Sequence, residues 1–227
     1  MAVYRKKIIL QIIFLFIVVN VGYSQNSKSY FYENEFDFSL PLKGKWSMDF
    51  GFGNRGMFQE RNAGKIVSGY QHEHLEMKHF TTYQASELIG ISLGAQYRFR
   101  ELFDSSKEDE FRLTEQVEIQ SANSPLSHRF RLEQRFREHI IHRGRYDIAY
   151  SMPLNQYFSW TLGTEALYAI SSQLKPEAEQ RISLSLANSY FQDLELGLSL
   201  EYRMENYTRN LDHEFFIISG LTIDMGN

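Results

Sequence analysis

Apolar and polar residues alternate with a period of two along most of this chain. Between Ser127 and Glu138 it reads SHRFRLEQRFRE: Arg129, Arg131, Glu133, Arg135 and Arg137 share one parity, and Phe130, Leu132 and Phe136 share the other. Successive side chains of a strand point to opposite faces, so this segment predicts a strand with one charged wall and one apolar wall. Tyr30, Tyr32, Phe36, Phe38 and Leu40 likewise oppose Glu33, Glu35, Asp37 and Ser39. Pro41–Gly44 reads as a tight turn, since proline presets φ and glycine accepts positive φ. Trp46, Met48, Phe50 and Phe52 follow in alternation, which makes a hairpin.

The same reading predicts strands over residues 89–100, 111–120, 145–152, 158–168, 182–186, 194–203 and 214–223. Asn54–Ser68 is polar and is expected to be a loop, and Gly69–Phe80 is read as a strand although it alternates poorly. Glu101–Glu110 and Gln173–Glu179 read as charged or polar loops. The segments number about eleven, many near the 9–11 residues that a tilted strand needs to cross a bilayer. Bacterial single-chain barrels normally have an even count. The expectation is therefore ten or twelve strands, with twelve ahead. Short connections at 41–44, 81–86, 121–126, 153–156 and 190–193 alternate with generally longer ones, an asymmetry typical of outer-membrane barrels.

Which wall faces in decides the rest. A soluble β-protein turns the apolar wall to a core; a membrane barrel turns it to lipid and keeps charge inside. The apolar parity carries Leu, Ile, Phe, Tyr and Trp on strand after strand, more than a soluble barrel of this size would pack inside. The polar parity mixes Gly, Ser and both signs of charge. The predicted fold is thus all-β: an antiparallel up-and-down transmembrane β-barrel of about 10–12 strands. A lumen charge network is expected from Arg98, Arg100, Arg112, Glu118, Arg129, Arg131, Glu133, Arg135, Arg137, Glu195, Glu201 and Arg203. Charges closed off from bulk water must pair, or each costs several kcal/mol.

Composition agrees with this assignment. A mean hydropathy of −0.40 excludes a helical membrane protein, and aromatic residues at 15% suit strands and interfacial girdles. Arg5, Lys6 and Lys7 precede the apolar run Ile8–Val21, and Gly22–Gln25 supply small or polar residues. That order predicts a signal peptide over residues 1–24, cleaved near Ser24, and one barrel domain over 25–227. The leader holds three of the 24 bases and none of the 28 acids, so the remainder stands at −7. Nothing there suggests nucleic-acid binding. The chain has no cysteine, which excludes acylation at the cleavage site, disulfides and thiolate metal sites.

Candidate chemistry is thin. His72 and His74 share a parity with His79 nearby, but three zinc ligands in a recognised motif do not appear. Ser127 and His128 are adjacent, so a strand turns them to opposite faces, and no GxSxG element is present. The arginine stripe at 129–137 matches phosphate or lipopolysaccharide chemistry, and also a structural network with acids of the same parity. No cofactor and no metal site are expected.

The leader, the Trp46 hairpin, GAQYRFRE at 94–101 and HRFRLEQRFRE at 128–138 together resemble an uncharacterised domain-of-unknown-function family of small Gram-negative outer-membrane β-barrel proteins. The resemblance spans essentially the whole chain after the leader. It implies a barrel in the outer membrane, in contact with outer-membrane lipid and inserted by the barrel-assembly machinery. It supplies no catalytic residues. The function expected is therefore non-enzymatic, a narrow channel or a structural or surface scaffold. The alternatives are a barrel-embedded lipid-active hydrolase and a soluble periplasmic, lipocalin-like binder of an apolar ligand.

Overall fold

The computed structural model describes residues 28–62, 65–100, 108–207 and 211–226. The expected signal peptide lies outside the described residues. Among the described residues eleven strands follow one another: β1 (Lys28–Pro41), β2 (Trp46–Asn62), β3 (Lys65–Ser86), β4 (Ile89–Phe99), β5 (Glu110–Gln120), β6 (Leu126–Phe136), β7 (Ile141–Pro153), β8 (Phe158–Ile170), β9 (Glu177–Phe191), β10 (Leu194–Glu205) and β11 (Asp212–Asp224). Each pairs antiparallel with its neighbour in sequence, and β1 closes the ring against β11. An all-β barrel is thus the fold, as the alternation predicts.

The strand count departs from the even number expected. Eleven strands leave β1 and β11 running the same way, so the barrel closes through a parallel seam, from Lys28↔His213 to Ser39↔Asp224. A second correction concerns residues 54–68. Their described residues are strand: β2 continues through Asn62, and the ladder to β3 persists out to Asn62↔Lys65. Two register shifts, at Arg55/Gly56 and between Met57 and Gln59, change the parity there and hid the strand. The 81–86 segment is likewise the end of β3, and the turn is Glu87–Leu88.

The short connections 42–45, 87–88, 121–125, 154–157 and 192–193 all fall at one mouth of the barrel. Gly44 (φ 79°) and Asp193 (φ 59°) supply the left-handed backbone that two of these turns need. At the opposite mouth lie the strand ends Asn62 and Lys65, Phe99 and Glu110, Phe136 and Ile141, Ile170 and Glu177, and Glu205 and Asp212.

Strand periodicity sorts the side chains cleanly. Leu93, Leu132, Leu184, Leu198 and Ile217 stand exposed on the outer wall, while Arg112, Thr114, Glu133, Glu165 and Arg203 are buried inside. This inverts the arrangement of a water-soluble domain. A charge interrupts the outer wall where Glu115 is exposed in register between Leu93 and Leu132.

Aromatic rings gather near both edges of the apolar band. At the short-turn mouth Trp46 packs on Tyr83, Tyr150 on Trp160, and Tyr157 on Tyr190. Toward the other mouth Tyr30 and Tyr202 meet Phe215, and Phe111 meets Phe136. From Trp160 to Tyr168 the chain covers about 26 Å along the strand. At the usual tilt of about 35–45° that projects onto about 18–21 Å of barrel height, less than the ~25 Å apolar band of outer-membrane barrels.

Candidate functional site

The interior is the chemically distinctive part of the molecule. It holds a cavity of about 910 Å³ lined almost entirely by polar and charged side chains. Three buried carboxylates organise its arginines. Glu110, at the start of β5, takes Arg112, Arg135 at 2.6 Å and Arg137 at 2.7 Å. Glu133 on β6 takes Arg145 at 2.6 Å, Arg143 at 3.6 Å and Arg131 at 3.7 Å. Glu165 on β8 takes Arg145 at 2.8 Å and Arg181 at 3.5 Å. Arg143 and Arg181 both reach Glu179 on β9, which links the last two groups into one chain of charges.

Two further groups lie beyond these. Glu76 on β3 accepts Arg98 at 2.7 Å and lies 3.9 Å from Arg112. Near the seam Glu33 meets Arg55 at 3.0 Å and Arg203 at 3.8 Å, and Arg203 also pairs with Glu201. Both guanidiniums stack on the ring of Phe216, Arg203 at 3.7 Å and Arg55 at 4.8 Å from its centroid. Phe216 itself packs with Phe31 and Met57 into a small apolar cluster inside the barrel. Lys78 and Asp37, 3.0 Å apart, complete this side.

Of the twelve residues singled out from sequence, Arg98, Arg112, Glu118, Arg129, Arg131, Glu133, Arg135, Arg137, Glu201 and Arg203 all take part in ion pairs. Arg129 bridges Glu118 and Asp147 loosely, at 3.9 and 3.7 Å. Arg131 is held chiefly by Gln116, whose Oε1 accepts from Nε at 2.9 Å and from Nη2 at 2.6 Å. Arg100 and Glu195 are exposed at opposite mouths; Glu195 accepts a hydrogen bond from the Ser189 hydroxyl at 3.2 Å. The pairs join strands at most two apart, so they run along the wall rather than across the lumen.

Sequence reasoning missed several organisers of this wall: Arg55, Glu76, Glu110, Arg143, Arg145, Glu165, Glu179 and Arg181. Glu110 and Glu179 fell in stretches that read as loops, although both share the inward parity of their strands. Arg55 and Glu76 lie in or beside the register shifts of the β2–β3 hairpin. Continuing the parity of Arg145 back to Arg143 would have found that residue.

The other candidates are dispersed. His74 is buried inside, whereas His79 lies on the outer wall against Phe50 and within 3.1 Å of the Thr81 hydroxyl. Among the described residues no group of three His, Asp or Glu is placed to hold a metal ion. His128 Nδ1 lies 2.9 Å from the Tyr146 hydroxyl on the outer wall, and its neighbour Ser127 has the opposite parity. The geometry supports ion-pair chemistry and polar solvation inside the barrel; it assembles no nucleophile–base pair from these residues.

No curated protein sequence matches the chain. Residues 29–214 match the family described as "Protein of unknown function (DUF2490)", a span that runs from the first residues of β1 into β11. On that match the chain belongs to the DUF2490 family.

Proposed function

We propose that this protein is an outer-membrane β-barrel, exported by a cleaved leader over residues 1–24 and inserted by the barrel-assembly machinery. Its role on this reading is non-enzymatic, as a narrow channel or a scaffold with a charged lumen. The observation that carries the reading is the inverted side-chain distribution: leucines, isoleucines and paired aromatic rings cover the outside while the ion pairs are inside. Lipid hydrocarbon suits that outer wall, and Trp and Tyr near its edges suit the headgroup level. An apolar ligand held inside, as in a lipocalin, would meet arginines and carboxylates instead of an apolar pocket.

The test is fractionation of cells expressing the full chain, followed by electrophoresis of boiled and unboiled samples. Recovery in alkali-washed outer membranes with a heat-dependent mobility shift is the expected result. Recovery as a soluble periplasmic species would overturn the proposal.

A further inference from the structure

The charges that line the cavity are sorted by side. Strands β4–β7, with residues 100 and 137 beside them, present nine arginines to it and a single acid, Glu118. Counting Glu110, Glu133 and Asp147 behind them still leaves five arginines in excess. Strands β8–β11 and β1–β3 present nine acids against four bases. The ring order makes this a transverse arrangement: four strands separate β6 from the β1–β11 seam in either direction. An arginine-rich wall therefore faces an acid-rich wall across the lumen, and ion pairs join the two only along their borders, as in Arg98–Glu76, Arg145–Glu165 and Arg143–Glu179.

Such a lumen discriminates by charge pattern. A solute with one cationic and one anionic group can turn its anion to the arginine wall and its cation to the acid wall, gaining at both. An ion of either sign gains at one wall and is repelled by the other, and an uncharged polar solute gains at neither. The narrow lumen and its low-dielectric surroundings strengthen these differences relative to open water.

We infer that the lumen admits small dipolar solutes, molecules bearing one cationic and one anionic group, in preference to uncharged or singly charged molecules of the same size. The inference rests on the outer-membrane reading and goes beyond it by naming a solute class.

The experiment uses the full mature barrel reconstituted in phosphatidylcholine vesicles and compares entry of labelled taurine, isethionate, choline and erythritol. Taurine and isethionate differ only in an ammonium replaced by a hydroxyl, so size is held constant. Taurine is expected to enter about threefold or more faster than the other three. Glu35→Gln, and separately Arg131→Gln, change one residue on each of two facing walls of the cavity. Glu35→Gln should bring the taurine-to-isethionate ratio toward one, and Arg131→Gln the taurine-to-choline ratio toward one. Rates ordered by size alone or by net charge alone, or no entry of any solute, would overturn the inference. Heat-dependent mobility of the same preparation separates that result from a failure of the outer-membrane reading, which would remove the shift itself.

Discussion

Glu133→Gln is the sharpest probe of the interior, because this carboxylate is 1% exposed and serves three arginines at once. At an effective dielectric constant near 20, a unit pair at these separations is worth about 4–6 kcal/mol gross. Desolvation of the ions, at several kcal/mol each, and repulsion among the arginines offset most of that sum. What remains on removing the acid is the cost of leaving buried arginines uncompensated, about 3–5 kcal/mol. Arg145 keeps Glu165, and Arg143 keeps Glu179, which places the expected loss toward the lower end of that range. Glu118→Gln is the internal control: its side chain is 55% exposed and its arginine is 3.9 Å away, so a loss below about 1 kcal/mol is expected. Reversible urea unfolding in lipid vesicles, followed by the fluorescence of Trp46 and Trp160, measures both. Equal losses in the two variants would refute the argument, since they would mean that water and counter-ions screen Glu133 as well as they screen Glu118.

Two further substitutions test the walls. Leu198→Arg places a charge on the outer wall in the middle of β10, at a side chain 53% exposed. In a bilayer this should cost about 2–4 kcal/mol by the same vesicle titration, whereas an exposed position facing water should change by no more than about 0.5 kcal/mol. Phe216→Ala removes a ring that is 2% exposed, stacked on Phe31 at 4.8 Å and capped by two guanidiniums. A loss of about 3–5 kcal/mol is expected. The heat-shifted band should also appear at a lower boiling temperature, and an unchanged band would show that the seam does not depend on this cluster.

The barrel was legible from the sequence wherever the ladder is regular. In β4 and β10 the alternation Ile89–Phe99 and Leu194–Glu205 runs unbroken, in β6 only His128 and Gln134 interrupt the apolar parity, and each inward arginine follows from its parity. It was illegible where the register shifts. The shifts at Arg55/Gly56 and Met57/Gln59 let residues of both parities take one face, so a continuous pair of strands looked like a polar loop. Glu115 shows the converse: a single charge on the apolar parity breaks the pattern without breaking the strand. The partners of each arginine were beyond the sequence for a different reason. Parity assigns a side chain to a face, whereas the choice among acids depends on register between strands, as when Arg143 reaches past β8 to Glu179.

The odd strand number, which the parity of known barrels argued against, also explains where the interior chemistry changes character. A parallel ladder is slightly less stable per residue than an antiparallel one, so the β1–β11 seam is the place where closure needs side-chain help. The help comes from both faces. Tyr30 stacks on Phe215 outside, the Ser219 hydroxyl donates to Asn34 Oδ1 at 2.7 Å, and Phe31 stacks on Phe216 inside. Burying two phenylalanines in an otherwise polar lumen is favourable only if their surroundings are not themselves stripped of solvation. Arg55 and Arg203 meet that condition, because each lays a guanidinium plane against Phe216 while holding Glu33 with its nitrogens. The seam thus draws arginines from the two flanking strands to its aromatic cluster, which leaves Glu35 on β1 and Glu205 on β10 facing the lumen with few bases of their own. The parallel closure and the guanidinium-capped aromatic cluster are on this argument two consequences of one feature: an eleventh strand that must pair with the first in the same direction.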